Sequence, residues 1–186
     1  MNESRPTNPF SRVLSLVRTG PRALLLRFYD QIQRLRSGHP VWSLSRVAPG
    51  LYIGGQHRPK GWAAMQAEGI SAVVNLREPH HDDAALGIAG ERYLHLPTRD
   101  NTPPHLEDLQ RAAQFIATEI AHGGKVYVHC GIGVGRAPSA AAAYLIRTGM
   151  STEEALRTIK RVRPFVHLTP GQRRQLEAFE RSLKED

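Results

Sequence analysis

The chain has 186 residues, 25 Lys and Arg against 17 Asp and Glu, and one cysteine. That length fits one domain with a substantial core. A single Cys excludes an internal disulfide framework and a Cys-rich zinc site, and no uncharged apolar run approaches the ~20 residues that a membrane-spanning helix needs. The net charge of +8 points at first to nucleic acid, but its distribution does not. Residues 1–46 hold eight Arg, no Lys and two acids, Glu3 and Asp30, whereas residues 47–186 hold 17 basic and 15 acidic residues. The body is nearly neutral and lacks the interleaving of aromatic and basic residues that a nucleic-acid groove uses, so no nucleic-acid partner is expected.

In chain order, residues 1–11 are polar, rich in Pro and Asn, and read as disordered. Residues 12–36 mix apolar groups with arginines; Gly20-Pro21 starts a helix in which Leu25, Phe28, Ile32 and Leu35 fall on one face. Ser37-Gly38-His39-Pro40 ends it, which divides the chain into a basic arm, 1–40, and a body, 41–186. The body alternates strands and helices: strand Gly50–Gly54, helix Gly61–Glu68, strand Ser71–Leu76, a polar loop Glu78–Asp83 and strand Arg92–Leu96. A helix capped by Thr102 with Pro103 at its first position follows, then strand Lys125–His129 and helix Arg136–Thr148. Capping boxes at Ser151–Glu154 and Thr169–Gln172 open the last two helices. The alternation predicts an α/β fold, a central, mostly parallel sheet of four to five strands flanked by helices.

The segment Val126–Pro138, VYVHCGIGVGRAP, carries the chemistry. A strand runs into His129-Cys130, then Gly131-Ile132-Gly133-Val134-Gly135, then Arg136 and a helix. Three glycines in five positions let the backbone turn tightly with its N–H groups inward, an anion-binding nest at a helix N-terminus. Arg136 adds a planar fork matched to phosphate oxygens. Cys130 lies in the same positive field, which favours thiolate over thiol and makes it a nucleophile beside a phosphate cradle. Three plainer readings compete: a structural core cysteine, a partial dinucleotide-binding loop and a simple tight turn. None of them requires Cys and Arg at this spacing around a Gly-rich strand–helix junction.

His129-Cys130-x5-Arg136 resembles the signature of cysteine-based protein phosphatases, and the body is similar to the small dual-specificity branch. LYIGG at 51–55, GISAVVNLRE at 69–78, Asp100-Asn101-Thr102-Pro103-Pro104, KVYVHC at 125–130, AAYLI at 142–146 and RVRP at 161–164 fall in that family's order. The similarity covers about residues 45–182. It implies a dual-specificity-phosphatase-like catalytic domain over 41–186 that hydrolyses phosphate monoesters through a phosphocysteine, with no cofactor and no metal. It also implies catalytic roles for Cys130, Arg136 and Asp100, a phosphate-binding loop Gly131–Arg136, and His129 as a hydrogen-bonding support. Asp100 would protonate the leaving oxygen and later deprotonate the hydrolytic water. Asp82 and Asp83 are its rivals, and His80-His81-Asp82-Asp83, which could suggest a metal site, reads rather as a solvated loop.

One departure stands out. Many relatives carry Ser or Thr directly after the signature Arg; here Ala137 stands there. The string Gly135-Arg136-Ala137-Pro138 is similar to the phosphatase-of-regenerating-liver group and to laforin-like glucan phosphatases, and slow phosphocysteine hydrolysis is expected. The loop has no Lys, which argues against highly phosphorylated inositols. The expected substrate is phosphotyrosine or phosphoserine/threonine on a protein, or a small phosphate ester. A lipid such as phosphatidylglycerol phosphate, or a glucan phosphate, is the alternative. A phosphate-binding module without turnover is the competing class, with Ala137 its support. The arm has three readings: a helix packed on the body with solvated arginines, a peripheral membrane contact through residues 12–36, or a targeting peptide. The expected location is cytoplasmic, with the membrane surface as the option the arm adds. With no second Cys to form a protective disulfide, the lone thiol is open to overoxidation.

Overall fold

The computed structural model describes residues 20–185. The expectations for residues 1–11, and for the part of the basic segment before Gly20, lie outside them. The helices are α1 (Pro21–Ser37), α2 (Pro59–Ala67), α3 (Leu106–Ala121), α4 (Arg136–Arg147), α5 (Thr152–Val162) and α6 (Pro170–Glu185). The strands are β1 (Arg46–Ala48), β2 (Leu51–Gly55), β3 (Ile70–Asn75), β4 (Arg92–His95) and β5 (Lys125–Cys130). They form one sheet in the order β1-β2-β5-β3-β4, antiparallel only between β1 and β2. β1 has three residues, too few to show a period, which is why the sequence reads no strand there.

β5 lies at the centre, paired in parallel with β2 and β3. A central parallel strand is covered on both faces, so its residues are buried whichever way they point. The two-residue period sends Val126, Val128 and Cys130 to one face, into the main core with Leu109, Ile116 and Leu145. Tyr127 goes to the other face, among Tyr52, Met65 and Ile70. The nucleophile candidate and His129 therefore stand on opposite faces of the same strand end.

α4 runs from the end of the Gly-rich loop through the core. Ten of its twelve residues are buried, Ala140–Ala143 among them, and α3, α5 and α6 pack on it. Small side chains let three helices approach one axis, and a larger residue there would overpack the core by ~1–3 kcal/mol. Both expected capping boxes are present. Glu154 N–H donates to Ser151 Oγ while Ser151 N–H donates to Glu154, and Thr169 and Gln172 exchange the same bonds.

Two helix starts differ from the expectation. α2 begins at Pro59, not Gly61, with the proline in its first turn. α3 begins at Leu106, not Pro103. Pro104 disfavours helical angles at the residue before it, so Pro103–Pro104 stays outside the helix. Thr102 bonds Arg99 O rather than capping.

Candidate active site

The loop between β5 and α4 is held from outside by its carbonyl groups. Gly131 O accepts from Gln56 N–H at 3.1 Å, and Val134 O from His167 N–H at 3.0 Å. Ile132 O and Gly133 O both accept from Arg163, and Gly135 O from Ser139 N–H and Oγ. With five carbonyls anchored outward, planar trans peptides leave the N–H groups for the concave side. Gly133 N–H donates to Cys130 Sγ at 3.3 Å. Gly133 has φ +77°, and a Cβ there would lie 2.3 Å from the Gly54 carbonyl carbon, so only glycine fits.

Arg136, the first residue of α4, is buried with its guanidinium under the loop. Nη1 donates to Thr98 O at 2.6 Å, Leu76 O at 3.1 Å and Glu78 Oε2 at 3.3 Å. Nη2 lies 2.9 Å from Asp100 Oδ1, and the buried Nε has no partner among the described residues. The fork is thus fixed at its back by two carbonyls while Nε is left for a ligand. Asp100 sits on the β4–α3 loop with its side chain 64% exposed, at the solvent mouth. Its N–H donates to Glu78 Oε1 at 3.0 Å, so Glu78 bridges the acid's backbone and the arginine. Burial raises the Glu78 pKa, but backbone N–H groups, Asp100's among them, and the Arg136 charge outweigh this and hold its carboxyl below the usual range.

The structure brings Cys130, Arg136, Asp100 and the loop together. Cys130 and Asp83 are held by different partners: Asp83 Oδ2 lies 2.5 Å from His129 Nε2, both buried, and Asp83 Oδ1 accepts from Gln56 Nε2 at 2.8 Å. The reading of His80-His81-Asp82-Asp83 as a solvated loop is therefore wrong at its last residue, which is buried. Asp83 is committed to His129, and Asp82 stays outside and accepts from Ala84 N–H. Burial alone would raise the Asp83 pKa, but its bond to His129, the charges of His129 and His57, and the bond from Gln56 bring it below its ordinary value. The group whose ligand atoms converge within 4.8 Å is His57, Asp83 and His129, and His80 and His81 are not part of it. Within the group Asp83 and His129 bond each other, whereas His57 bonds Ile88 O through Nε2 at 2.7 Å and its buried Nδ1 has no partner among the described residues.

His57, stacked edge-on against His129, gives a pH prediction. Burial first, then repulsion from His129, lower its pKa to about 4, only partly offset by Ile88 O and Asp83. A folded value below the unfolded 6.5 means that stability present above pH 6.5 is lost as pH falls toward 4, by about 3 kcal/mol at most. Asp83, also depressed, adds its loss in the window below its ordinary value of 3.8. Urea unfolding at pH 7.0, 5.5 and 4.5 is expected to show the fall, with a shallower slope in His57→Phe; a wild-type stability flat from pH 7 to 4.5 contradicts it.

The supporting roles of Glu78, Asp83, Gln56 and Arg163 are not readable from the sequence, although Asp83 stands there as a rival acid and Glu78 and Arg163 fall within family-like strings. Their partners lie 22 to 58 residues away or more, beyond any local motif. Ala137 is fully buried behind the loop, and Ser139 Oγ is spent on Gly135 O, so no hydroxyl of the first turn replaces the missing one. Ala137→Ser is expected to speed single-turnover phosphocysteine hydrolysis by roughly tenfold, the worth of one hydrogen bond; an unchanged rate rejects the role assigned to that position.

The family model of the dual specificity phosphatase catalytic domain matches residues 51–182. Dual specificity protein phosphatase 8 of Mus musculus is 34% identical over 149 residues, covering 78% of this chain and 22% of the relative. Human phosphatidylglycerophosphatase and protein-tyrosine phosphatase 1 is 33% identical over 127 residues, covering 64% and 63%. The solved structure of PTPMT1 superposes with a TM-score of 0.69 at 27% identity, over 76% of this chain and 96% of that one. The chain spans less than two thirds of the length of these two curated relatives. By the match over residues 51–182, and by the signature loop built on β5 and α4, the chain belongs to the dual specificity phosphatase catalytic-domain family.

Proposed function

We propose that the protein hydrolyses phosphate monoesters through a phosphocysteine. One observation carries this reading: a loop with all its carbonyls turned outward, its Gly133 N–H on Cys130 Sγ, and an arginine whose Nε is buried without a partner. A phosphoryl group seated there receives loop N–H groups and the Arg136 fork on its oxygens. Cys130 Sγ attacks phosphorus, the P–O bond to the leaving group breaks, and Asp100 gives that oxygen its proton. Asp100, now ionised, takes a proton from water; the oxygen attacks phosphorus, the S–P bond breaks, and orthophosphate leaves with the thiolate restored. The test is phosphate release from para-nitrophenyl phosphate by the full chain. Tight phosphate binding with no release would make it the non-catalytic phosphate-binding module instead.

The substrate reading has two branches. Phosphorylated proteins fit the dual-specificity family. A membrane phospholipid headgroup is favoured by α1, whose apolar face is turned outward: Leu25 is 69% exposed, Phe28 55%, Ile32 52% and Leu35 47%. The same face continues to Leu86 and Ile132, both exposed, around a groove of about 490 Å³. That groove is lined by Arg58, Arg77 and the loop residues Gly131 and Ile132. Apolar side chains beside arginines suit an anionic membrane, and the human relative's name joins a phospholipid substrate to a protein one. This is the peripheral contact proposed for residues 12–36, its described part being α1; the cytoplasmic side of a membrane is the matching location.

Co-sedimentation with anionic vesicles tests it. Replacing Leu25, Phe28 and Ile32 together with Ser is expected to lower partitioning by about 100-fold, since each group loses on the order of 1 kcal/mol of apolar burial. Equal binding by both proteins removes the membrane branch and leaves the phosphoprotein one.

A further inference from the structure

Ile132 O and Gly133 O share one donor. Arg163 Nε donates to Gly133 O at 2.9 Å and Nη2 to Ile132 O at 3.2 Å, while Nη1 donates to Leu44 O at 2.8 Å. The side chain has no exposed surface, and its guanidinium carbon lies 4.5 Å from the centre of the Phe165 ring. A charge so buried needs a counter-charge. Asp30 supplies it from α1, with Oδ2 2.8 Å from Arg163 Nη2 and accepting from Arg34 Nε at 3.2 Å. Arg34 in turn donates to Gln56 O, next to the Gln56 N–H that holds Gly131 O. The contact is close: a Cβ on Gly55 would lie 2.4 Å from Arg34 Nη1. α1 thus buries Asp30 and Arg34 and exposes its apolar residues, the reverse of an ordinary surface helix.

We propose that Asp30 is a positioning residue for the phosphate-binding loop, acting through Arg163, so that α1 is part of the site. Peptide planarity gives the link. Ile132 C=O and Gly133 N–H belong to one trans peptide and point in opposite directions. Pinning Ile132 O to Arg163 aims Gly133 N–H inward, where it meets Cys130 Sγ. Pinning Gly133 O does the same for Val134 N–H. Asp30 fixes the guanidinium that does both. α1 precedes the segment 51–182 that defines the family, so this support comes from outside it.

The test is a double-mutant cycle in the full chain with Asp30→Asn, Arg163→Met and both together. It has two readouts that need no turnover, orthophosphate affinity by calorimetry and the rate of alkylation of the sole cysteine by iodoacetate, followed beside thermal unfolding and kcat/KM. The kinetic arm rests on the phosphatase reading; the other two do not, so their failure is distinct from its failure. Asp30→Asn is expected to weaken phosphate binding and slow alkylation by about tenfold or more, at temperatures well below its unfolding. In the Arg163→Met background the same change is expected to do little, because the linked group is gone. Wild-type phosphate affinity and alkylation in Asp30→Asn, or equal losses in both backgrounds, overturn the proposal. If Asp30→Asn does not fold, Arg163→Met decides, because there Asp30 keeps Arg34 as its counter-charge: phosphate affinity and alkylation at the wild-type level overturn the proposal, and a loss of about tenfold in both supports the link through which Asp30 acts.

Discussion

Cys130→Ser is expected to abolish turnover of para-nitrophenyl phosphate, a fall on the order of 10⁴- to 10⁶-fold, as for removal of a nucleophile elsewhere. A serine hydroxyl is far less ionised than a thiol at neutral pH, and among the described residues no base bonds it. Asp100 is held on Arg136, and His129 points to the opposite face of the strand, onto Asp83. The fold should survive, because the smaller side chain still accepts from Gly133 N–H and leaves the rest of the core cluster in place. Phosphate binding by Cys130→Ser therefore stays near wild type while turnover is lost, and the two are measured together by calorimetry and nitrophenol release. Arg136→Lys separates the second component. Lysine cannot hold Leu76 O, Thr98 O and a phosphate oxygen from one planar group. A loss of roughly 10²- to 10³-fold in kcat/KM is expected, the scale for removing one aimed donor. Turnover in Cys130→Ser equal to wild type would refute the phosphocysteine route outright.

The part of this site that could be read from the sequence is the part that is local. Cys130 and Arg136 are six residues apart, and their chemistry depends on a loop whose glycines stand between them. β3 and β5 were equally legible, because a strand buried on both faces shows as a continuous apolar run. Asp83 was not, because His80–Asp83 has the composition of a solvated turn and its partner His129 lies 46 residues on. The helical period of α1 identified an apolar face but could not say which face turns inward. Burying Leu25, Phe28 and Ile32 is the usual outcome. Here the buried guanidinium of Arg163, 133 residues away, instead draws Asp30 inward, and the roughly 3–5 kcal/mol that an unpaired buried charge would cost is on the scale of exposing the apolar row. The start of α3 was misplaced for a simpler reason. Thr102-Pro103 has the composition of a cap, but Pro104 behind it forbids the first turn.

Asp100→Asn is expected to separate binding from chemistry. Its carboxylate is tethered to Nη2 of the guanidinium that faces the phosphate site. Its backbone is held by Glu78, and the loop beyond it by Gln172 Nε2 on Thr102 O. The acid is thus registered against the anion binder before substrate arrives. Asparagine keeps the shape but has no proton to give, so alkyl phosphate esters, whose leaving oxygen must be protonated, are expected to lose on the order of 10²- to 10⁴-fold in kcat. Nitrophenolate is a stable anion near neutral pH and needs little help, so para-nitrophenyl phosphate loses much less. KM is expected to fall as well, because removing the carboxylate removes the negative charge that competes with phosphate for Arg136. A lower KM with a lower kcat is the behaviour of a substrate trap, and it would let the variant retain a phosphoprotein or a phospholipid long enough to identify it. Equal losses for the alkyl and the nitrophenyl ester would show that Asp100 acts by holding Arg136 in place and not by transferring a proton.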